Sequence, residues 1–152
     1  MGMQAGKLKS VFSLAQLSYN QNQLSWKYTV TPSPLSCSYE IRINYKLGSN
    51  PDVFVVNPKL GLFPGKASLP HVYSTEKQWL CIYYRKAGEW KSSMYIADTV
   101  LNWTCEWLLH YECWLATGEW HGGGIHHETE AEKQKKIVKW LKQTINVLEI
   151  RS

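Results

Sequence analysis

The chain has 152 residues, 44% of them hydrophobic and 19% charged, and carries a formal net charge of +5. That length favours one domain with a real core, and the composition is that of an ordinary globular protein. No apolar run reaches the length of a membrane span, which excludes a membrane-spanning helix.

Eight tryptophans and nine tyrosines imply bulky aromatic packing, an aromatic contact surface, or both. The N-terminal stretch has lysines but only a short, polar-interrupted apolar patch, and makes a poor signal peptide. Met1-Gly2 does not lead into a myristoylation pattern, because Gly6 and Lys7 break it. The four cysteines, Cys37, Cys81, Cys105 and Cys113, form no CxxC pair and no disulfide framework. They read as reduced thiols of a cytoplasmic protein.

In chain order, Val11, Phe12, Leu14 and Leu17 suggest a short first helix ended by Asn20, Gln21 and Asn22. Leu24, Trp26, Tyr28 and Val30 then alternate with Ser25, Lys27 and Thr29, the period-two pattern of a half-buried strand. Pro32 and Pro34 end it. Tyr39, Ile41, Ile43 and Tyr45 repeat the pattern against Glu40, Arg42 and Asn44, and Gly48 to Pro51 is a turn. Residues 53–56 follow as a third, more continuously apolar strand, so the first half reads as an antiparallel meander. Pro58, Gly61, Pro64, Gly65 and Pro70 forbid a long helix and point to an irregular crossover. Residues 79–84 form a short extended piece, after which Lys86 to Gly88 turns the chain.

The longest predicted helix covers 93–116, capped by Ser92 or Ser93. Met94, Ala97, Leu101, Cys105 and Leu108 make one apolar line, and Ile96, Val100, Trp103, Trp107 and Trp114 an adjacent one. Only Asp98, Asn102, Glu106 and His110 make a polar stripe, so this helix is expected to be central and largely buried. The stretch from Gly118 to Gly124 breaks the chain. Thr129 and Glu132 then offer a capping box for a last helix reaching about Leu148, with Ile137, Val138, Leu141, Ile145 and Leu148 as its apolar stripe. Lys133, Lys135, Lys136, Lys139 and Lys142 read as its solvated face rather than as a nucleic-acid patch. No internal repeat or linker divides residues 1–152, and the expected architecture is a single α+β domain.

Cys81 is the residue on which chemistry would turn. A cysteine among apolar and aromatic neighbours is commonly a buried filler, although Lys77, Arg85 and Lys86 stand near it in sequence. Cys105 lies on the apolar line of the long helix and reads as core. Cys113, His121, His126 and His127 follow no zinc spacing, so no metal is expected. The triple glycine lacks a following Lys-Ser/Thr and is no phosphate loop. It reads as a tight turn between helices or as room for a partner's backbone. No cofactor is expected.

His71 stands ten residues before Cys81 and Trp90 nine after it, with a polar turn at 74–78 and Leu80 and Ile82 flanking the cysteine. This arrangement resembles ubiquitin-conjugating enzymes, whose His-Pro-Asn motif precedes the catalytic cysteine by the same interval. Trp26 on its strand, the two following strands and Pro58-Lys59 are similar to that family's earlier features in order, over roughly residues 10–115. The resemblance implies a ubiquitin-conjugating-like (UBC) fold: an N-terminal helix, a meander of about four strands, a central buried helix and a C-terminal amphipathic helix. It also implies Cys81 as a thioester-forming nucleophile, with His71 mainly ordering the loop. Val72-Tyr73 replaces the family's Pro-Asn. The Tyr73 hydroxyl is then the candidate for the oxyanion-stabilising task of the missing asparagine. The family's acidic gate has no clear equivalent, Glu112 and Glu119 being the candidates.

A narrower resemblance lies in Trp103 to Trp107 and in Trp114 to Gly124. These segments are similar to stand-alone ubiquitin-conjugating-like proteins of bacterial CBASS antiphage operons. That likeness implies a partner, the C-terminal tail of a CD-NTase-type nucleotidyltransferase, which the cysteine would hold as a thioester. The chain is too short to carry an activating domain, so an activating enzyme would be a separate partner. The rival expectation is a catalytically inactive module on the same fold that only captures the tail.

Overall fold

Alternation along three successive strands decides the architecture. In the computed structural model, described for residues 1–123, β2 (Gln23–Val30) turns Leu24, Trp26 and Val30 inward. Strand β3 (Tyr39–Lys46) buries Tyr39, Ile41, Ile43 and Tyr45, and β4 (Asp52–Asn57) buries Val53 and Val55. The expected meander is therefore present, with Trp26 opposite Ile43 and Ile43 opposite Val53. The 53–56 segment alternates instead of being buried throughout: Phe54 points to the other face, where it stacks on Trp79 and meets Arg42.

The molecule is α+β, with two helices and a six-stranded antiparallel sheet among the described residues. The sheet has two strands more than the four expected. They are β1 (Gln16–Tyr19) at one edge and β5 (Val72–Ser74) at the other, where it pairs with β6 (Trp79–Leu80), the short extended piece expected beside three core strands. The spatial order is β1-β2-β3-β4-β6-β5.

The first helix, α1 (Gly2–Val11), stops before Phe12, and Leu17 belongs to β1, paired with Trp26. Two contacts override the helical spacing of Phe12, Leu14 and Leu17. The Phe12 ring lies 5.4 Å from Trp26 and 5.3 Å from Tyr28, which draws the chain onto the sheet. Asn20 does not end a helix but closes the β1–β2 turn, its side-chain oxygen accepting from the Asn22 and Gln23 N–H groups.

The second helix, α2 (Val100–Thr117), begins seven residues later than its apolar pattern suggests, and Ser92 and Ser93 cap nothing. The cause is Gln4 of α1, a side chain only 7% exposed. Its amide donates to the Met94 carbonyl at 2.7 Å, and its carbonyl accepts from the Ile96 N–H at 2.9 Å. An earlier helix start would give the Met94 carbonyl to the Asp98 N–H, and Gln4 takes that carbonyl instead. Helix α2 buries one stripe, Val100, Leu101, Thr104, Trp107, Leu108, Tyr111 and Trp114, and exposes Asn102, Glu106, Leu109 and Cys113. It is a surface helix with one inward face, not a helix buried all round. Gly118 ends it in the left-handed conformation, donating to Trp114 at 2.7 Å.

The inward residues of β2, β3 and β4 form one core cluster with Ala5 and Leu8 of α1 and the buried stripe of α2. No helix among the described residues is long and apolar enough to cross a membrane. The expected C-terminal helix and its lysine face, with His126 and His127, lie outside the described residues.

Candidate active site

Cys81 leaves the sheet directly after β6, whose two residues pair with Val53 and Phe54 of β4. Its N–H donates to the His71 carbonyl at 3.0 Å, closing the β5–β6 hairpin at its base. The same carbonyl accepts the Trp107 indole N–H at 3.0 Å, so α2 is tied to the hairpin at the cysteine's own level. His71 is 7% exposed, and its backbone has φ 46°, a left-handed conformation that costs energy for a residue with a Cβ. Its ring stacks on Trp120, with centroids 4.9 Å apart and planes at 27°.

The polar turn expected at 74–78 is present and internally tied. Gln78, also left-handed at φ 54°, accepts from the Leu60 N–H and donates to the Thr75 carbonyl, each at 2.6 Å. Thr75 accepts from the Leu69 N–H at 3.0 Å. These bonds attach the hairpin tip to the irregular crossover and fix the height of the cysteine above the sheet.

The structure brings Tyr73 to Cys81, its hydroxyl near enough to favour the thiolate as a hydrogen-bond donor. The Cys81 Sγ lies 3.7 Å from the Tyr83 carbonyl. At 9% exposure the thiol is nearly enclosed. Burial pushes it above the usual thiol range, against the Tyr73 hydrogen bond and the nearby Arg85 charge, and the Glu89 carboxylate adds to the rise. Tyr73 is itself pushed up by burial and by the Cys81 partner, so its hydroxyl keeps its proton and remains a donor.

Arg85 opens the short 3₁₀ turn Arg85–Ala87. It donates to the Asp52 carboxylate and, at 3.2 Å, to the Pro51 carbonyl. Its guanidinium sits 4.8 Å from the Tyr73 ring centroid, 5.6 Å from Trp79 and 5.8 Å from Tyr83. The Tyr83 hydroxyl donates to the same Pro51 carbonyl at 2.7 Å.

On its other side Cys81 lines a cavity of about 280 Å³. His71, Tyr83 and Tyr84 share one wall with it, and Trp103, Glu106, Trp107 and His110 of α2 form the opposite wall. Trp120 covers one end, 5.5 Å from Trp107 and 5.7 Å from His110. The carboxylates lining the cavity are Glu89 and Glu106.

The two acidic-gate candidates do not line it. Glu112 accepts from the Cys37 N–H and the Tyr39 hydroxyl, both at 2.9 Å, which fixes the start of β3 to α2. Glu119 stands exposed beside His121. Cys105 is half-buried against the core, as its helical position suggests, whereas Cys37 and Cys113 are exposed.

A family model for the type II CBASS E2 protein matches residues 4–128, a span that takes in α1 from Gln4 onward, all six strands, α2 and the cavity. The chain belongs to the type II CBASS E2 family. No curated protein matches it. Membership gives this CBASS E2 a role in CBASS antiphage defence with an E2-like function, and it implies an operon partner of the CD-NTase type.

Sequence reasoning named Cys81, His71 and Tyr73, which the structure brings together, and did not assign the rest of the cavity lining of this E2. Trp103 and Trp107 stand four apart on α2 and both reach the cavity, a spacing that signals a shared side of the helix. Gly122 was the available signal for Trp120: a Cβ there would meet the Trp120 indole nitrogen at 2.8 Å and His110 at 2.9 Å. One of the three glycines thus makes room for the chain's own tryptophan. Arg85 is marked by its nearness to Cys81 in sequence, whereas nothing local marks Glu89.

Proposed function

We propose that this CBASS E2 is a cysteine-dependent acyl carrier and transferase, built as one ubiquitin-conjugating-like domain over residues 1–152. The partner is the C-terminal tail of the CD-NTase-type nucleotidyltransferase. Cys81 Sγ attacks the activated C-terminal carbonyl, a carbon–sulfur bond forms, and the activating group leaves with the bonding electrons. An amine or other nucleophile then takes the acyl group and the thiolate is released, in ping-pong fashion. His71 orders the loop through its backbone carbonyl and its stacked ring. Tyr73 would donate to the oxygen of the thioester as negative charge develops there.

The observation that carries this reading is the pairing of Cys81 with a donor hydroxyl on one side and an aromatic cavity on the other. A tail approaching through the cavity would meet the sulfur with Tyr73 already beside it. The six-stranded sheet and two helices also support a UBC-like fold, with the extra strands at the sheet edges.

A second reading, capture of the tail without chemistry, draws on a different observation. Burial holds the Cys81 thiol protonated, as in an inert core cysteine. The two readings part on a non-reducing gel of the protein incubated with its genomic neighbours. Acyl transfer predicts an adduct that thiols cleave, absent in Cys81→Ala and converted by Cys81→Ser into a thiol-stable ester. Unchanged binding with no adduct in any variant supports capture alone.

A further inference from the structure

Arg85 is the charged group best placed to govern the Cys81 site from outside the cavity. The cavity lining carries Glu89 and Glu106 but no lysine or arginine among the described residues. Arg85 sits behind the cysteine in a box of three rings, Tyr73, Trp79 and Tyr83, all within 6 Å of its guanidinium. The far side of the guanidinium is held by Asp52 and the Pro51 carbonyl, both on the entry to β4. Trp79 in turn packs on Tyr73 with centroids 4.8 Å apart. A planar cation fixed at two points and covered by aromatic faces has little freedom, and it constrains the ring it lies on.

We infer that Arg85 is a positioning residue for Cys81: anchored by Asp52, it holds the Tyr73 ring so that the hydroxyl addresses the sulfur, and it fixes a positive charge beside that ring. This deepens the acyl-transfer reading and rests on it for its biological purpose. Removing the charge leaves Glu89 unopposed beside the thiol and Asp52 without its partner, and it frees the Tyr73 ring to turn. The other groups facing the sulfur oppose or ignore that charge. Glu89 approaches from the loop after the 3₁₀ turn, Tyr83 from the cysteine's own segment, and Glu106 and His110 from α2 across the cavity.

The test is the pH profile of Cys81 alkylation by iodoacetamide, read at that residue by peptide mass mapping because Cys37, Cys105 and Cys113 also react. Thermal melts establish that each variant is folded. Arg85→Gln is expected to move the profile up by about one pH unit, which is about tenfold slower alkylation near neutrality. Arg85→Lys, which keeps the charge, stays within about threefold of the parent. Arg85→Met, which keeps the apolar stem against the rings, replaces Arg85→Gln should that variant not fold. Tyr73→Phe shifts the profile in the same direction, and Arg85→Gln adds less to Tyr73→Phe than to the parent. A parent-like profile in Arg85→Gln, or equal shifts in the Gln and Lys variants, overturns the inference. Iodoacetamide reports on the thiol alone. A protein that shows these shifts yet never carries a tail as a thioester supports the role of Arg85 and overturns the acyl-transfer reading.

Discussion

At Cys81, burial and hydrogen bonding pull on the thiol in opposite directions. Burial dominates and raises its titration; the Tyr73 hydroxyl and Arg85 offset part of that rise. The sign gives a prediction. A raised thiol has less thiolate at any given pH, so alkylation of Cys81 in the free protein should still climb steeply where glutathione is levelling off. A Cys81 profile with its midpoint below that of glutathione contradicts this arrangement. The spacing of His71, Cys81 and Trp90 made the cysteine legible before any coordinates. Its surroundings were not. Arg85 meets Tyr73 twelve positions back and Asp52 on another strand, and no sequence period marks contacts of that kind. Trp90 is the converse case. It stands where the spacing expects it, but its ring packs on Tyr45 in the core at 5.2 Å, and it does not line the cavity.

Helices and strands show why patterns succeed in one half of the chain and drift in the other. Strands β2 and β3 read correctly because each has one face in the core, and a one-residue slip would expose every apolar side chain. The N-terminal segment misled because Leu14, counted as part of a helical stripe, is 87% exposed, while Phe12 and Leu17 serve the sheet. The start of α2 drifted for a different reason. Its apolar period does extend back to Met94, but Gln4, ninety positions away, takes the Met94 carbonyl that the first helical turn would use. Gln4→Ala should therefore destabilise the fold by about 1–3 kcal/mol, since it leaves the buried Ile96 N–H without its acceptor. Urea unfolding checks this, with a lower midpoint and an unchanged slope as the expected result. An unchanged midpoint would show that the Gln4 clamp does not hold the 94–96 segment.

On the scale of the molecule, a cavity lies between the cysteine segment and α2, and two ties set its width. One is the pair of donations from Cys81 and Trp107 to the His71 carbonyl. The other is the Trp120 cap, seated by Gly122. On the proposed reading, this cavity is where a partner's tail lies with its end at the sulfur. The central claim is that Cys81 carries that tail as a thioester. Intact mass measurement of the protein incubated with its CD-NTase partner and the remaining operon products tests it most directly. The account predicts a species equal to the two chains less one water, mapped to Cys81, lost on treatment with dithiothreitol or neutral hydroxylamine, and missing in Cys81→Ala. No such species, together with full phage protection by Cys81→Ala, would contradict it.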